Sequence, residues 1–232
     1  MTIWAIVPAA GVGRRMGTTT PKQYLLLNQQ ALIVTTLARL ASVEQIKKII
    51  VMLNPEDKVW PTLGLSNSPK IDCQLGGDER YVSVLNGLHY LSDFAAEDDW
   101  VLVHDAVRPC VRVEDINELI RQSHTHSVGA LLAAPVENTL KKADSKGEVA
   151  ETVDRSAIWN AFTPQIFRFE ILYRALKNVV ERDLRVTDEA SAVELLGLAP
   201  KLVLGNKDNI KITQAIDLGL AEHILKLQDE QG

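Results

Sequence analysis

The sequence predicts an α/β fold, a mostly parallel sheet flanked by helices with a β-hairpin arm protruding from it. Three observations carry this. Short apolar, β-branched runs alternate along the chain with stretches of helical period, the pattern of strands joined by crossover helices. The first run, Ile3 to Val7, passes straight into a glycine loop bearing Gly11, Gly13 and Gly17. One segment, Thr139 to Arg155, departs from the alternation: it is polar, rich in β-compatible residues and centred on Asp144-Ser145-Lys146-Gly147.

Each element follows from its own signal. Ile3 to Val7 is a strand and not a secretory segment, because no basic residue precedes it and Pro8 interrupts it. Further strands are expected at Lys48 to Leu53, Ile71 to Leu75, Trp100 to His104, Ala130 to Pro135 and Lys201 to Leu204. Helices are expected between them, at Ile33 to Leu40, Tyr81 to Leu91, Glu114 to Ser123, Glu170 to Glu181, Glu189 to Leu196 and Gln214 to Leu227. The last carries Ile216, Leu220, Ile224 and Leu227 as one apolar stripe. The polar segment reads as a hairpin with too little apolar surface to be stable alone. It is either a solvated surface hairpin or an arm laid against a second subunit. The chain as a whole, 1–232, is expected to form a single domain, with 137–157 as a dimerisation arm.

Composition narrows the function. Hydrophobic residues at 46% and charged residues at 24% match globular usage and argue against disordered and membrane classes. A net charge of −5 argues against a general nucleic-acid backbone binder, so basic residues must act locally, on small anionic ligands. Cys73 and Cys110 stand far apart in unlike contexts, which suits a reducing cytoplasm better than a disulfide or zinc framework.

Ligands in open α/β sheets sit beyond the carboxyl ends of the strands, so the residues just after each strand are the candidates. After the first come the residues from Gly11 to Lys22, with Gly13, Arg14 and Arg15 between them. Glycines let backbone N–H groups approach phosphate oxygens, and the cations complete a cradle. The spacing matches neither the dinucleotide fingerprint nor a Walker A loop: Met16 holds the third glycine's place, and Lys22 follows no glycine. After the third strand, Gly76-Gly77-Asp78 offers amides and a carboxylate; Asp78 is expected to N-cap the next helix, and Ser83 to reach the same pocket. After the fourth, Asp105 with Ala106 and Arg108 places a carboxylate either on a divalent cation such as Mg²⁺ or in a salt bridge to Arg108. After the last come Asp208, a possible second metal contact, and Lys211. His104 reads as structural, ending a buried strand.

No nucleophile motif such as G-x-S-x-G is present. That suits phosphoryl or nucleotidyl transfer, where catalysis is mainly positioning and charge stabilisation. A phosphate monoester has a second pKa near 6 and attacks without a base at neutral pH. Its difficulty is repulsion from a triphosphate, roughly 4 kcal/mol for two like charges at about 4 Å and an effective dielectric near 20. Arg15, Lys22, Arg155 and Lys211 are the cations that could relieve it.

Taken in order, PAAGVGRRMG with PKQYL, GGDERYVSV, VLVHDAVRPC, APVENTLKK, TVDRSAIWNAFTPQIF, TDEASAVE and DNIKIT resemble the 2-C-methyl-D-erythritol 4-phosphate cytidylyltransferases, and the likeness spans nearly the whole chain. The resemblance implies a Rossmann-like fold of nucleotidyltransferase type that moves CMP from CTP to the sugar-alcohol phosphate, expelling pyrophosphate, in non-mevalonate isoprenoid biosynthesis. It implies catalytic roles for Arg15 and Lys22 on the triphosphate and for Arg155 and Lys211 on the sugar phosphate. It further implies cytosine and ribose contacts from Ala9, Ala10, Gly77, Asp78 and Ser83, Mg²⁺ near Asp105, and substrate contacts in the segments holding Thr139 and Thr163. Thr139 and Arg155 would reach the partner's site in a homodimer. The alternative is a ribitol 5-phosphate cytidylyltransferase, but TVDRSAIWNAFTPQIF looks more like the methylerythritol enzymes.

Overall fold

A strand buried on both faces must be apolar at both parities, and β1 (Ile3–Pro8) is: Ile3, Ala5 and Val7 enter one core cluster, Trp4 and Ile6 the other. The computed structural model describes residues 2–11, 20–65 and 68–231. After β1 come a short hairpin of β2 (Leu26–Leu27) and β3 (Gln30–Ala31), α1 (Leu32–Ala41), β4 (Ile46–Leu53), β5 (Ile71–Leu75), α2 (Arg80–Leu91), β6 (Trp100–Val103) and α3 (Val113–Ser123). The chain continues through β7 (Gly129–Pro135), β8 (Leu140–Ala143), β9 (Val149–Val153), β10 (Trp159–Arg168), α4 (Phe169–Glu181), α5 (Glu189–Glu194), β11 (Lys201–Leu204) and α6 (Ala215–Gln231).

Seven strands form the central sheet in the order β11-β7-β10-β6-β1-β4-β5. Neighbours pair parallel except at β10, which runs antiparallel to β6 and β7. Residues of α1 and α3 pack on one face, those of α2, α4 and α5 on the other, and α6 closes a third cluster with Leu27, Leu32, Val107 and Ile212. The predicted α/β class and mostly parallel sheet are what forms, and the six expected strands and six helices all appear within a few residues of their expected ends.

Two sequence expectations are corrected. The longest strand, β10, was not foreseen. It carries Asn160, Thr163, Pro164 and Gln165, and a proline inside a run argues against a central strand. Its pairing with β7 shifts register between Ala161 and Gln165, which lets the proline sit where no ladder bond is needed. On α6 the expected stripe is mostly outward: Ile216, Leu220 and Leu227 are 78%, 50% and 42% exposed. The helix is turned so that Ala221 and Leu225 are buried. A polar tether sets that rotation, since Gln228 donates to the Cys110 carbonyl at 3.0 Å and to Asp208 at 3.1 Å.

The expected hairpin is present as the antiparallel pair β8 and β9. Asp144 builds its turn, accepting from the N–H groups of Lys146 at 2.8 Å and Glu148 at 2.9 Å. Gly147 takes a φ of 81°, which a side chain would resist. No residue from 140 to 153 is buried.

Candidate active site

The carboxyl ends of β1, β5 and β6 and the segment after β11 surround a cleft of about 660 Å³. It is lined by Pro8, Ala9, Ala10, Gly11, Lys22, Gln23, Asp78, Glu79, Arg80, Ser83, Asp105, Ala106, Val107, Lys211 and Thr213. Nine residues expected from sequence thus meet in one place: Ala9, Ala10, Gly11, Lys22, Asp78, Ser83, Asp105, Ala106 and Lys211. Gly13, Arg14 and Arg15 lie outside the described residues.

Lys22 stands at the start of a short 3₁₀ turn, Lys22–Tyr24, whose next two residues are pinned. Gln23 is buried and donates to the Ala9 carbonyl at 2.8 Å, and the Tyr24 hydroxyl donates to Asp57 at 2.5 Å. Ala9 also donates its N–H to Met52 at 2.9 Å, so the backbone of this expected nucleotide contact is already engaged within the protein.

At the tip of β5 the expected cap is corrected. Glu79, not Asp78, is the N-cap of α2, and it makes no side-chain cap bond. Ser83 ties the loop back to the helix instead: its hydroxyl accepts from Gly77 N–H at 3.0 Å and lies 3.2 Å from the Gly77 and Glu79 carbonyls. The Gly77 amide, expected to be free for ligand, is therefore bonded here. Asp78 is left to face the cleft. A Cβ at Gly76 would come within 2.6 Å of Ala10 Cβ, so the glycine is what lets the tips of β1 and β5 close together.

Asp105 is the electrostatic centre. Its Oδ1 accepts from Arg80 Nε at 2.9 Å, and its Oδ2 lies 2.8 Å from Lys211 Nζ and 3.4 Å from Arg108 Nε. The Arg108 bridge read from sequence is thus present, but it is the longest of three. Burial alone would raise the carboxyl's pKa; Arg80, Lys211 and Arg108 outweigh it and hold Asp105 well below the usual carboxylate range. Arg80 in turn grips Glu189 with both terminal nitrogens, at 2.6 and 3.0 Å. Burial pulls the guanidinium down, but the Glu189 and Asp105 carboxylates more than compensate and raise it.

His104 is fully buried and structural, as its position suggested, and the fold supplies its partners: Arg108 O at 3.1 Å from Nε2 and Thr163 Oγ1 at 3.0 Å from Nδ1. Burial lowers its pKa to about 4, so the ring is neutral. Thr163 lies beneath the cleft and not in its lining, accepting from the Asp105 N–H at 3.1 Å. The segment bearing Lys211 is stitched down by Ile212 N–H to Val107 O at 2.9 Å, Asn209 Nδ2 to Thr163 O at 2.8 Å and Arg108 Nη1 to Asn209 O at 2.6 Å. Asp208, expected as a substrate or second metal contact, lies outside the cleft lining. Its Oδ2 is taken by Arg112 at 2.6 and 2.9 Å because α3 and α6 pack against that side of the loop. Thr139 and Arg155 are exposed at the arm and do not line this subunit's cleft.

Sequence reasoning missed Glu189 and Gln23, and gave Arg80, within the loaded stretch after the third strand, no role. Arg80 closes the stretch Gly76-Gly77-Asp78-Glu79-Arg80 at a helix start, where its place is legible but its partners are not; nothing local marks Glu189.

A magnesium ion needs few protein ligands when phosphates and water complete its octahedron. Among the described residues no group of three His, Cys, Asp or Glu could hold a metal. Asp105, an ionised carboxylate of the cleft, fits an ion carried in on a triphosphate and not a protein-only metal cage.

A mostly parallel α/β sheet with lysines and an arginine gathered over strand tips, and no nucleophile motif in its sequence, defines an enzyme of the nucleotidyltransferase class. Comparison with known proteins agrees. The family model IspD, 2-C-methyl-D-erythritol 4-phosphate cytidylyltransferase, matches residues 3–227. The chain is similar to proteins of that name from Hahella chejuensis, 48% identical over 99% of this chain and 96% of the relative, and from Pseudomonas putida, 49% identical over 93% and 92%. Among solved structures it is similar to the 2-C-methyl-D-erythritol 4-phosphate cytidylyltransferase of Francisella tularensis, 36% identical with a TM-score of 0.84 over 97% of this chain and all of that one. The chain belongs to the 2-C-methyl-D-erythritol 4-phosphate cytidylyltransferase family.

Proposed function

We propose that this cleft carries the family's reaction: CMP passes from CTP to 2-C-methyl-D-erythritol 4-phosphate, giving 4-diphosphocytidyl-2-C-methyl-D-erythritol and pyrophosphate in non-mevalonate isoprenoid precursor biosynthesis. The observation that carries the reading is the meeting of Lys22 and Lys211 in one cleft around ionised Asp105. A phosphate oxygen of the sugar-alcohol phosphate forms a bond to the α-phosphorus while the bond to the β-phosphate bridging oxygen breaks, and pyrophosphate leaves with the electron pair. The attacking phosphate is already ionised, so no side chain has to take its proton.

Lys22, with Arg14 and Arg15, neutralises the triphosphate and the leaving pyrophosphate. Lys211 draws the second phosphate into line, and Arg155 helps position it. Gly11 and Gly13 serve the phosphates, while Ala9, Ala10, Asp78 and Ser83 form the cytosine and ribose side, with Gly77 joined to it through its bond to Ser83. Ala106 shapes the floor, and Arg108, outside the lining, steadies Asp105. Asp105 would hold Mg²⁺, which supplies charge neutralisation across the phosphates when bound.

Residues 137–157 form a dimerisation arm on a single catalytic domain, so that Thr139 and Arg155 serve the partner's cleft. Two features support this: the arm buries nothing of its own, and both residues stand clear of their own subunit's site. Two free cysteines suit a cytoplasmic enzyme. The test is pyrophosphate release with Mg²⁺, CTP and 2-C-methyl-D-erythritol 4-phosphate, run beside ATP, GTP, UTP and ribitol 5-phosphate. Turnover is expected with CTP and the methylerythritol substrate; faster turnover with ribitol 5-phosphate overturns the substrate assignment.

A further inference from the structure

Glu189 is wholly buried, yet it neither caps its helix nor itself lines the cleft. Capping belongs to its neighbours: Asp188 Oδ1 accepts from Ser191 N–H at 2.9 Å, and Ser191 closes the reciprocal half of the box. Gln165 of β10 then holds both neighbours of Glu189, donating to the Asp188 side chain at Oδ2 at 2.8 Å and accepting from the Ala190 N–H at 2.8 Å. A buried carboxylate is costly to desolvate, and this one stands on a mount braced from both flanks.

What it holds is Arg80. The fork of two bonds, at 2.6 and 3.0 Å, fixes the guanidinium plane and leaves Nε to bind Asp105 Oδ1 at 2.9 Å. Asp105 Oδ2 in turn receives Lys211 Nζ at 2.8 Å. Charges alternate along the line Glu189, Arg80, Asp105, Lys211, so each group's position depends on the one before it. We propose that Glu189 is a positioning residue for the transfer: acting through Arg80 and Asp105, it sets where the Lys211 ammonium stands in the cleft. This rests on the reading of Lys211 as the cation that draws in the second phosphate.

The alternative is a salt bridge that only ties α5 to α2, and the two predict different outcomes. E189Q keeps the side chain's shape and removes its charge. Displacing a reacting group by about 1 Å costs on the order of 100-fold in rate, so kcat is expected to fall roughly 10- to 100-fold in folded E189Q. Affinity for CTP, read by calorimetry, is expected to stay near that of the parent. A purely structural bridge would lower the thermal midpoint and leave kcat unchanged below it.

A second readout needs no turnover. Lys211 Nζ is restrained by Asp105, so its acetylation by an amine-reactive ester, followed by mass spectrometry, is expected to quicken several-fold in E189Q. Lys48, paired with Asp72 on the far side of the sheet order, serves as the unchanged reference. Should E189Q not fold, E189D carries the same test, since it keeps the charge but withdraws it by one methylene. Unaltered Lys211 labelling in a folded variant overturns the proposal even if the parent enzyme uses another substrate. A parent that releases no pyrophosphate with CTP overturns the reaction and leaves the labelling result to judge Glu189.

Discussion

Lys22 tests the division between binding and catalysis. Gln23 and Tyr24 beside it are both tied down, so the backbone that carries the lysine is fixed before substrate arrives. A preorganised cation acts most strongly where charge develops, on the departing pyrophosphate. Lys22→Ala is therefore expected to lower kcat by roughly 100- to 1,000-fold while CTP affinity falls far less. Steady-state rates beside a calorimetric CTP titration check this, and equal losses in both would contradict the role. His104 gives a pH signature. Burial lowers its pKa from 6.5 to about 4, so between those values the unfolded chain binds a proton that the native chain refuses. Stability is then present above the upper value and lost as pH falls through the window, by up to about 3 kcal/mol. Urea unfolding at about pH 4.5 and about pH 7 should show a smaller drop for His104→Gln than for the parent.

At the scale of elements, the arm is where folding and the proposed assembly can be tested apart. An isolated two-stranded hairpin is marginal in water, and β8 and β9 bury no residue of their own. Replacing residues 141–152 by a short turn is expected to leave the circular dichroism and thermal midpoint of the domain nearly unchanged, because no core side chain is removed. The same variant should sediment as a monomer and lose most of its kcat. A variant that stays dimeric would show that another surface makes the interface. β10 and α6 illustrate the opposite case, elements whose character is set from outside. β10 runs through the middle of the sheet although it holds a proline, because β6 and β7 supply ladders on both sides and a register shift accommodates the ring. The face that α6 buries is chosen by the Gln228 tether and not by its strongest apolar stripe.

For the whole molecule the decisive question is whether one site draws on two chains. If Arg155 reaches the partner's cleft, Lys22→Ala and Arg155→Ala homodimers are both impaired for different reasons. A mixed dimer contains one cleft with Lys22 intact and Arg155 supplied by the other subunit, so co-purified heterodimers should recover about half the parent rate by symmetry. Recovery absent in isolated heterodimers would place Arg155 in its own subunit. Much of this molecule was legible in the chain. The α/β class, the strand and helix positions, the hairpin and seven of the cleft residues follow from local pattern together with one topological rule, that ligands sit at carboxyl ends of parallel strands, while Ala9 and Ala10 came from the family resemblance. Those properties repeat over a few residues and need no knowledge of distant neighbours. Tertiary structure alone decided the antiparallel β10, the rotation of α6, the withdrawal of Asp208 to Arg112 and the line from Glu189 through Arg80 and Asp105 to Lys211. Each depends on which charged or polar groups come to share a buried space, and that choice is made by long-range packing and desolvation, which no local periodicity encodes.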